Sequence, residues 1–147
     1  ELEGGRVESI WYSAKRQGTL AGENMSGRPK GYAPPVFFNS AKLFELEYTT
    51  VGALTEVEEG AESLYATHPT RPISWRIVHA GDRVLGFNAL GSRWDHTVLT
   101  RWIEEERPVE WVRENLRRAQ FDVELGRAPL HEMTVRPLPV ERRGASK

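Results

Sequence analysis

No cysteine occurs in the chain, which rules out disulfides, thiolate nucleophiles and cysteine-ligated zinc or iron–sulfur centres, and suits a reducing compartment. No apolar run approaches the roughly 18 residues a membrane span requires, and no basic-then-apolar leader stands at the N-terminus. A chain that stays off the membrane, with the cytoplasm as its expected compartment, follows. Charge of one sign is also missing. Twenty basic residues against 21 acidic ones leave a net charge of −1, so no global field draws the protein toward nucleic acid or anionic lipid. The nucleotide-binding signatures are absent as well: the sequence holds no GxGxxG, no P-loop and no GxSxG, and Gly86-Phe87-Asn88-Ala89-Leu90-Gly91 reads as a glycine-bracketed strand, not a phosphate cradle.

What remains is a globular balance. The 147 residues are 39% hydrophobic and 28% charged, with five Trp, four Tyr and five Phe, enough to build a core without staples. The chain opens on Glu1-Leu2-Glu3-Gly4-Gly5 without an initiator Met, and the expectation is a piece of a longer protein.

Local patterns lay out an α+β order. From Glu8 to about Met25, the spacing of Ile10, Ala14, Leu20 or Ala21, and Met25 predicts an amphipathic helix, with Gly27 in a left-handed terminal position. Gly18 and Gly22 each weaken that helix by roughly 1 kcal/mol relative to Ala, which points to close packing against another backbone. Arg28 to Val36, with Pro29, Gly31, Pro34 and Pro35, is loop chemistry suited to a domain crossing. Leu43 to Thr50 alternates as one strand with Phe44, Leu46 and Tyr48 on its apolar face. Glu56 to Glu62 is an acidic turn region, and Ser63 to Thr67 a short strand. Ser74–His79 and Arg83–Ala89, joined through Ala80-Gly81-Asp82, predict a β-hairpin. Asp95 caps a helix from about His96 to Glu106, and Pro108 suits the first turn of another helix, whose buried stripe is Val109, Val112, Leu116 and Ala119. From about Gly126 onward, Pro129, Pro137, Pro139 and the run Arg142 to Lys147 predict an extended tail with a frayed end.

Candidate chemistry is sparse. His68, His79, His96 and His131 stand far apart, none in an HxH or HxxxH pair, so no metal site is expected. The carboxylate runs Glu104-Glu105-Glu106 and Glu56, Glu58, Glu59 lie at element ends where solvated charge is ordinary, and Ser9, Ser13 and Ser40 lack an activating His and acid nearby in sequence. No catalytic residue is assigned. The aromatic set Trp11, Tyr12, Phe37, Phe38, Trp75, Trp94, Trp102 and Trp111 exceeds what one small core encloses. It reads as core plus a hydrophobic interface, or else as aromatics beside a planar ligand.

Two segments carry a resemblance. Glu8-Ser9-Ile10-Trp11-Tyr12-Ser13-Ala14-Lys15-Arg16-Gln17-Gly18 and Pro35-Val36-Phe37-Phe38-Asn39-Ser40, in this order, resemble the end of the FAD-dependent pyridine nucleotide oxidoreductases, in the branch of ferredoxin and rubredoxin reductases and apoptosis-inducing-factor-like proteins. Arg83 to Gly91 followed by Trp94 to Glu106 resembles a later strand and helix of their C-terminal domain. The resemblance spans most of residues 6–106. It implies an N-terminal helix, then a small antiparallel sheet with C-terminal helices like the reductases' dimerisation-like domain. Residues 1–32 would end an FAD-binding domain and 33–147 form the C-terminal domain.

The same resemblance places Glu8, Ser9, Ile10, Trp11 and Phe38 nearest FAD. The helix N-terminus there favours negative charge on the N1/C2 carbonyl side of the flavin. Relatives often carry Trp at the Phe38 position; Phe removes the indole donor and leaves apolar packing. Both dinucleotide-binding regions and the acidic FAD motif are missing from the sequence, so the chain is not expected to transfer hydride from NAD(P)H alone. FAD enters only with nucleotide-binding domains of the same or a partner chain, and a homodimer is compatible with this role. The alternative is a stand-alone interaction module without cofactor, using the aromatics around Phe37 and Phe38. A weaker third reading makes Arg113, Arg117 and Arg118 with Trp111 a nucleic-acid surface, against which the near-zero net charge argues.

Overall fold

The computed structural model of the chain describes residues 10–121 and 130–140, and the chain divides into two compact units, 1–35 and 36–147.

The first unit is built on α1, Trp11–Met25. Ile10 stands at its N-cap in extended conformation without a side-chain cap, and Gly27 follows its end at φ 78, the left-handed terminus that glycine makes cheap. Two expectations need correction. A Cβ added at Gly18 or Gly22 would meet nothing within 4 Å, so among the described residues neither glycine marks a close backbone approach. Met25 is 89% exposed and the buried residue of α1 is Ser13, so the apolar spacing that suggested the helix does not define its covered face. Beyond α1 the chain is pinned locally. Asn24 accepts from the Lys30 N–H at 2.7 Å and donates to the Lys30 carbonyl at 3.1 Å, while the Lys30 ammonium pairs with Glu23.

The second unit is an antiparallel six-stranded sheet in the order β1-β2-β5-β4-β3-β6, with helices following the first five strands. The strands are β1 Phe38–Leu43, β2 Leu46–Gly52, β3 Glu62–Thr67, β4 Ser74–Ala80, β5 Arg83–Leu90 and β6 Thr134–Pro139. The stretch expected as a single strand from Leu43 to Thr50 is instead the bend of the β1–β2 hairpin. Leu43 pairs with Leu46 across a two-residue loop, and Phe44 takes φ 55 there, 95% exposed. Phe44 is therefore a hairpin tip and not part of an apolar strand face. The tail also needs correction: residues 134–139, including Pro137 and Pro139, pair in register with β3. Prolines two apart present their missing N–H groups to the same side, which an edge strand tolerates when that side faces solvent. The rest of the expected tail, 122–129 and 141–147, lies outside the described residues.

The hairpin β4–β5 forms as expected, closing through Gly81 at φ 55. So does α2, His96–Glu104, where the Asp95 carboxylate accepts from the Thr97 and Val98 N–H groups at 2.8 and 3.4 Å. Pro108 precedes α3, Val109–Asn115, and a 3₁₀ turn Leu116–Ala119 completes the stripe; Val109, Val112, Leu116 and Ala119 are all buried. Leu99 and Trp102 of α2 pack with these residues and with Val51, Trp75, Ile77, Val84, Phe87 and Ala89 of the sheet in one core. Each large side chain so enclosed contributes roughly 1.5–3 kcal/mol. Gly91, at φ 71, closes the end of β5 where any Cβ would overlap the Pro72 carbonyl oxygen.

Candidate functional site

The residues expected beside a cofactor fall in three places. Glu8 and Ser9 lie outside the described residues. Ile10 and Trp11 begin α1 in the first unit, and Phe38 begins β1 in the second.

At the start of α1, Ile10 supplies no capping oxygen and the first turn holds no acidic side chain. Among the described residues no carboxylate caps or neutralises the positive end of the helix. Trp11 is 67% exposed. Its ring meets Tyr12 edge-on at 5.3 Å between centroids, and the Lys15 ammonium sits 5.4 Å from its centroid. Trp11, Tyr12, Lys15, Arg16, Thr19, Leu20 and Glu23 line an open depression of about 500 Å³ along one side of the helix, an aromatic surface that carries two cations and one carboxylate.

In the second unit, Phe38 is half-buried and lies flat on the His96 imidazole, with 4.1 Å between centroids and 14° between planes. The stack ties the entry of β1 to the first turn of α2. A cleft of about 320 Å³ opens beside it, lined by Ser40, Lys42, Glu47, Thr49, Arg93 and His96 together with Phe121. Arg93 binds the Glu47 carboxylate at 2.9 Å and covers the Phe121 ring at 5.7 Å. His96, dismissed by spacing as an ordinary histidine, is therefore the residue that sequence reasoning missed. Its partner lies 58 positions away and no local pattern marks the contact.

The buried histidines have structural work. Nδ1 of His68 accepts from the Thr70 and Arg71 N–H groups, each at 3.1 Å, so its proton resides on Nε2, which donates to the Glu132 carboxylate at 3.0 Å. His79 reaches the Gly81 carbonyl at 2.8 Å within its own hairpin turn. Among the described residues no group of three His, Asp or Glu is placed to hold a metal, and no helix is long and apolar enough to cross a membrane. Every described strand pair is antiparallel, so these residues contain no parallel β-α-β crossover of the kind that binds dinucleotides.

No family model and no curated protein matches the chain. Among solved structures, an NAD-dependent persulfide reductase from A. fulgidus is similar in fold, with a TM-score of 0.55 at 16% identity. The likeness covers 84% of this chain but 25% of that one. The chain spans about a quarter of the length of the reductase that it matches.

Proposed function

We propose that the chain is the C-terminal part of an FAD- and NAD(P)H-dependent oxidoreductase, covering the flavin and mediating contact with another domain or subunit. The observation that carries this reading is the unequal coverage: most of this chain overlays a quarter of a protein described as an NAD-dependent reductase. The resemblance of the Glu8–Gly18 and Pro35–Ser40 segments to the flavoenzyme family supports it independently, because it rests on residue type and order and not on backbone shape.

The residues present fit such a cofactor. The uncapped, acid-free first turn of α1 at Ile10 and Trp11 suits negative charge that grows on a flavin as it is reduced. Phe38, held flat by His96, supplies an apolar planar surface without a hydrogen-bond donor. FAD, when bound, supplies the two-electron relay between the nicotinamide and an acceptor. This chain's part at the start of α1 is to present the positive end of a helix to it. The antiparallel sheet offers no dinucleotide-binding crossover, so the nucleotide-binding regions belong to other residues of the same polypeptide or to a partner chain.

The isolated chain is accordingly expected neither to retain FAD through gel filtration nor to oxidise NADH or NADPH. Tight flavin binding with turnover by the 147 residues alone would overturn the assignment as an incomplete part. Detection of the native polypeptide on a denaturing gel, with an antibody to this chain, separates the two forms of the reading. A band several tens of kilodaltons above 16.7 kDa marks a larger flavoenzyme, and a band at 16.7 kDa a separate subunit.

A further inference from the structure

The cleft beside the Phe38–His96 stack carries more polar capacity than the fold uses. Ser40 stands directly opposite Thr49, and Lys42 opposite Glu47, so two cross-strand pairs line the cleft together. They share the sheet face of Val51, which packs in the core with Leu99 and Trp102 of α2. The Glu47 carboxylate does not pair with the Lys42 opposite it. It takes Arg93 instead, through one terminal nitrogen at 2.9 Å. The Lys42 ammonium and the other guanidinium N–H groups of Arg93 hydrogen-bond no described residue.

Two less exposed groups are idle as well. Thr49 is 2% exposed, yet its hydroxyl bonds no described residue, whereas the hydroxyl of Thr50 beside it accepts from Asn88 at 2.9 Å. A polar group so enclosed is ordinarily satisfied. The His96 imidazole is held flat on Phe38 with neither ring nitrogen bonded to a described residue, while His68 and His79 both have polar partners. The neighbouring Asp95 carboxylate is engaged elsewhere, accepting from the Thr97 and Val98 N–H groups. Lys42 and Arg93 against Glu47 leave the cleft one net positive charge with His96 neutral. That balance matches a single anionic group and not a phosphate, which carries nearly two charges at neutral pH. Buried Trp94 and the half-exposed Phe121 ring beneath Arg93 add apolar surface. A volume of about 320 Å³ lies at the small end of the range for small-molecule sites.

We propose that this cleft binds a small organic monocarboxylate with an apolar body. The carboxylate sits between Lys42 and Arg93, where the Ser40 and Thr49 hydroxyls donate to it and His96 supplies a further N–H. Charge-assisted hydrogen bonds of this kind are the stronger ones, and Glu47 keeps the Arg93 guanidinium in place before the ligand arrives. The apolar body lies against Phe121. The proposal does not rest on the oxidoreductase reading.

Titration of benzoate into the 147-residue chain, followed by amide chemical shifts, tests it. Saturable shifts are expected at Ser40, Lys42, Thr49, Arg93 and His96, with a Kd on the order of 1 mM, ordinary for a ligand of so few atoms. Benzamide keeps the shape without the charge, and inorganic phosphate keeps the charge without the apolar body; each should bind at least about tenfold more weakly. Lys42→Gln removes an exposed charge and should weaken benzoate about threefold to fivefold at an unchanged melting temperature. Thr49→Val replaces the hydroxyl with a methyl group and should weaken it about tenfold; should that variant fail to fold, Lys42→Gln keeps the test standing. The absence of saturable shifts at these residues overturns the proposal. Benzamide or phosphate binding as tightly as benzoate overturns it too, as does a benzoate affinity that Lys42→Gln leaves unchanged.

Discussion

Replacing Phe44 with glycine should stabilise the protein, although it deletes a large aromatic side chain. Phe44 is 95% exposed, so truncation forfeits almost no burial. Its backbone sits at φ 55 in the first of the two loop positions that join β1 to β2, and Glu45 has no positive φ. A positive φ confined to the first loop residue is the conformation for which hairpins select glycine, because a Cβ there crowds the following carbonyl at a cost of roughly 1–2 kcal/mol. Glycine also enlarges the unfolded ensemble by roughly 0.5–1 kcal/mol, which offsets part of the relief. The net expectation is a gain of up to about 1 kcal/mol, or about 2–4 °C in melting temperature for a chain of this size. Thermal unfolding followed by circular dichroism at low concentration, on wild type and Phe44→Gly, measures it. A fall in melting temperature would show that Phe44 contributes packing that its exposure does not reveal, and would refute the argument.

Other substitutions probe the supports of the second unit. Asp95→Ala should cost about 1 kcal/mol by removing the α2 cap, whereas Asp95→Asn keeps an oxygen acceptor and should be near neutral; urea midpoints distinguish them. Gly91→Ala should cost at least about 2 kcal/mol, because positive φ and overlap with the Pro72 carbonyl act together, while Gly60→Ala, also at positive φ but with nothing within 4 Å, should cost only about 1 kcal/mol. Equal losses at the two glycines in chemical denaturation would contradict the close approach at Gly91. His68→Ala should cost about 1–3 kcal/mol by orphaning the Thr70 and Arg71 amides, and Glu132→Ala under about 1 kcal/mol, since the Glu132 side chain is 51% exposed. Hydrogen exchange at the Thr70 and Arg71 amides should rise in the first variant and stay unchanged in the second.

These sites also mark where the sequence could be read and where it could not. The β4–β5 hairpin and α2 announce themselves through local chemistry: a glycine at positive φ between alternating runs, and an aspartate one residue before an apolar helical repeat. The β1–β2 hairpin has no such signal. Phe44-Glu45 contains none of the usual turn residues, so the alternation runs unbroken through the bend and reads as one strand. Strand β6 is hidden for the opposite reason: Pro137 and Pro139 discourage a strand assignment, yet they fit an edge whose free side needs no donors. Ile10, Trp11 and Phe38 are candidates through family resemblance alone and not through any local pattern. The Phe38–His96 stack and the cleft bounded by Lys42, Glu47 and Arg93 join stretches that only the tertiary fold brings together.

The oxidoreductase reading meets its most direct test in the native protein. An antibody to this chain, used under non-denaturing conditions on an extract of the source cells, recovers the chain with whatever polypeptide or partner completes it. The recovered material should release FAD on denaturation and, before it, oxidise NADH or NADPH with an added acceptor. Chain recovered in good yield without flavin and without pyridine nucleotide oxidation would contradict the proposal.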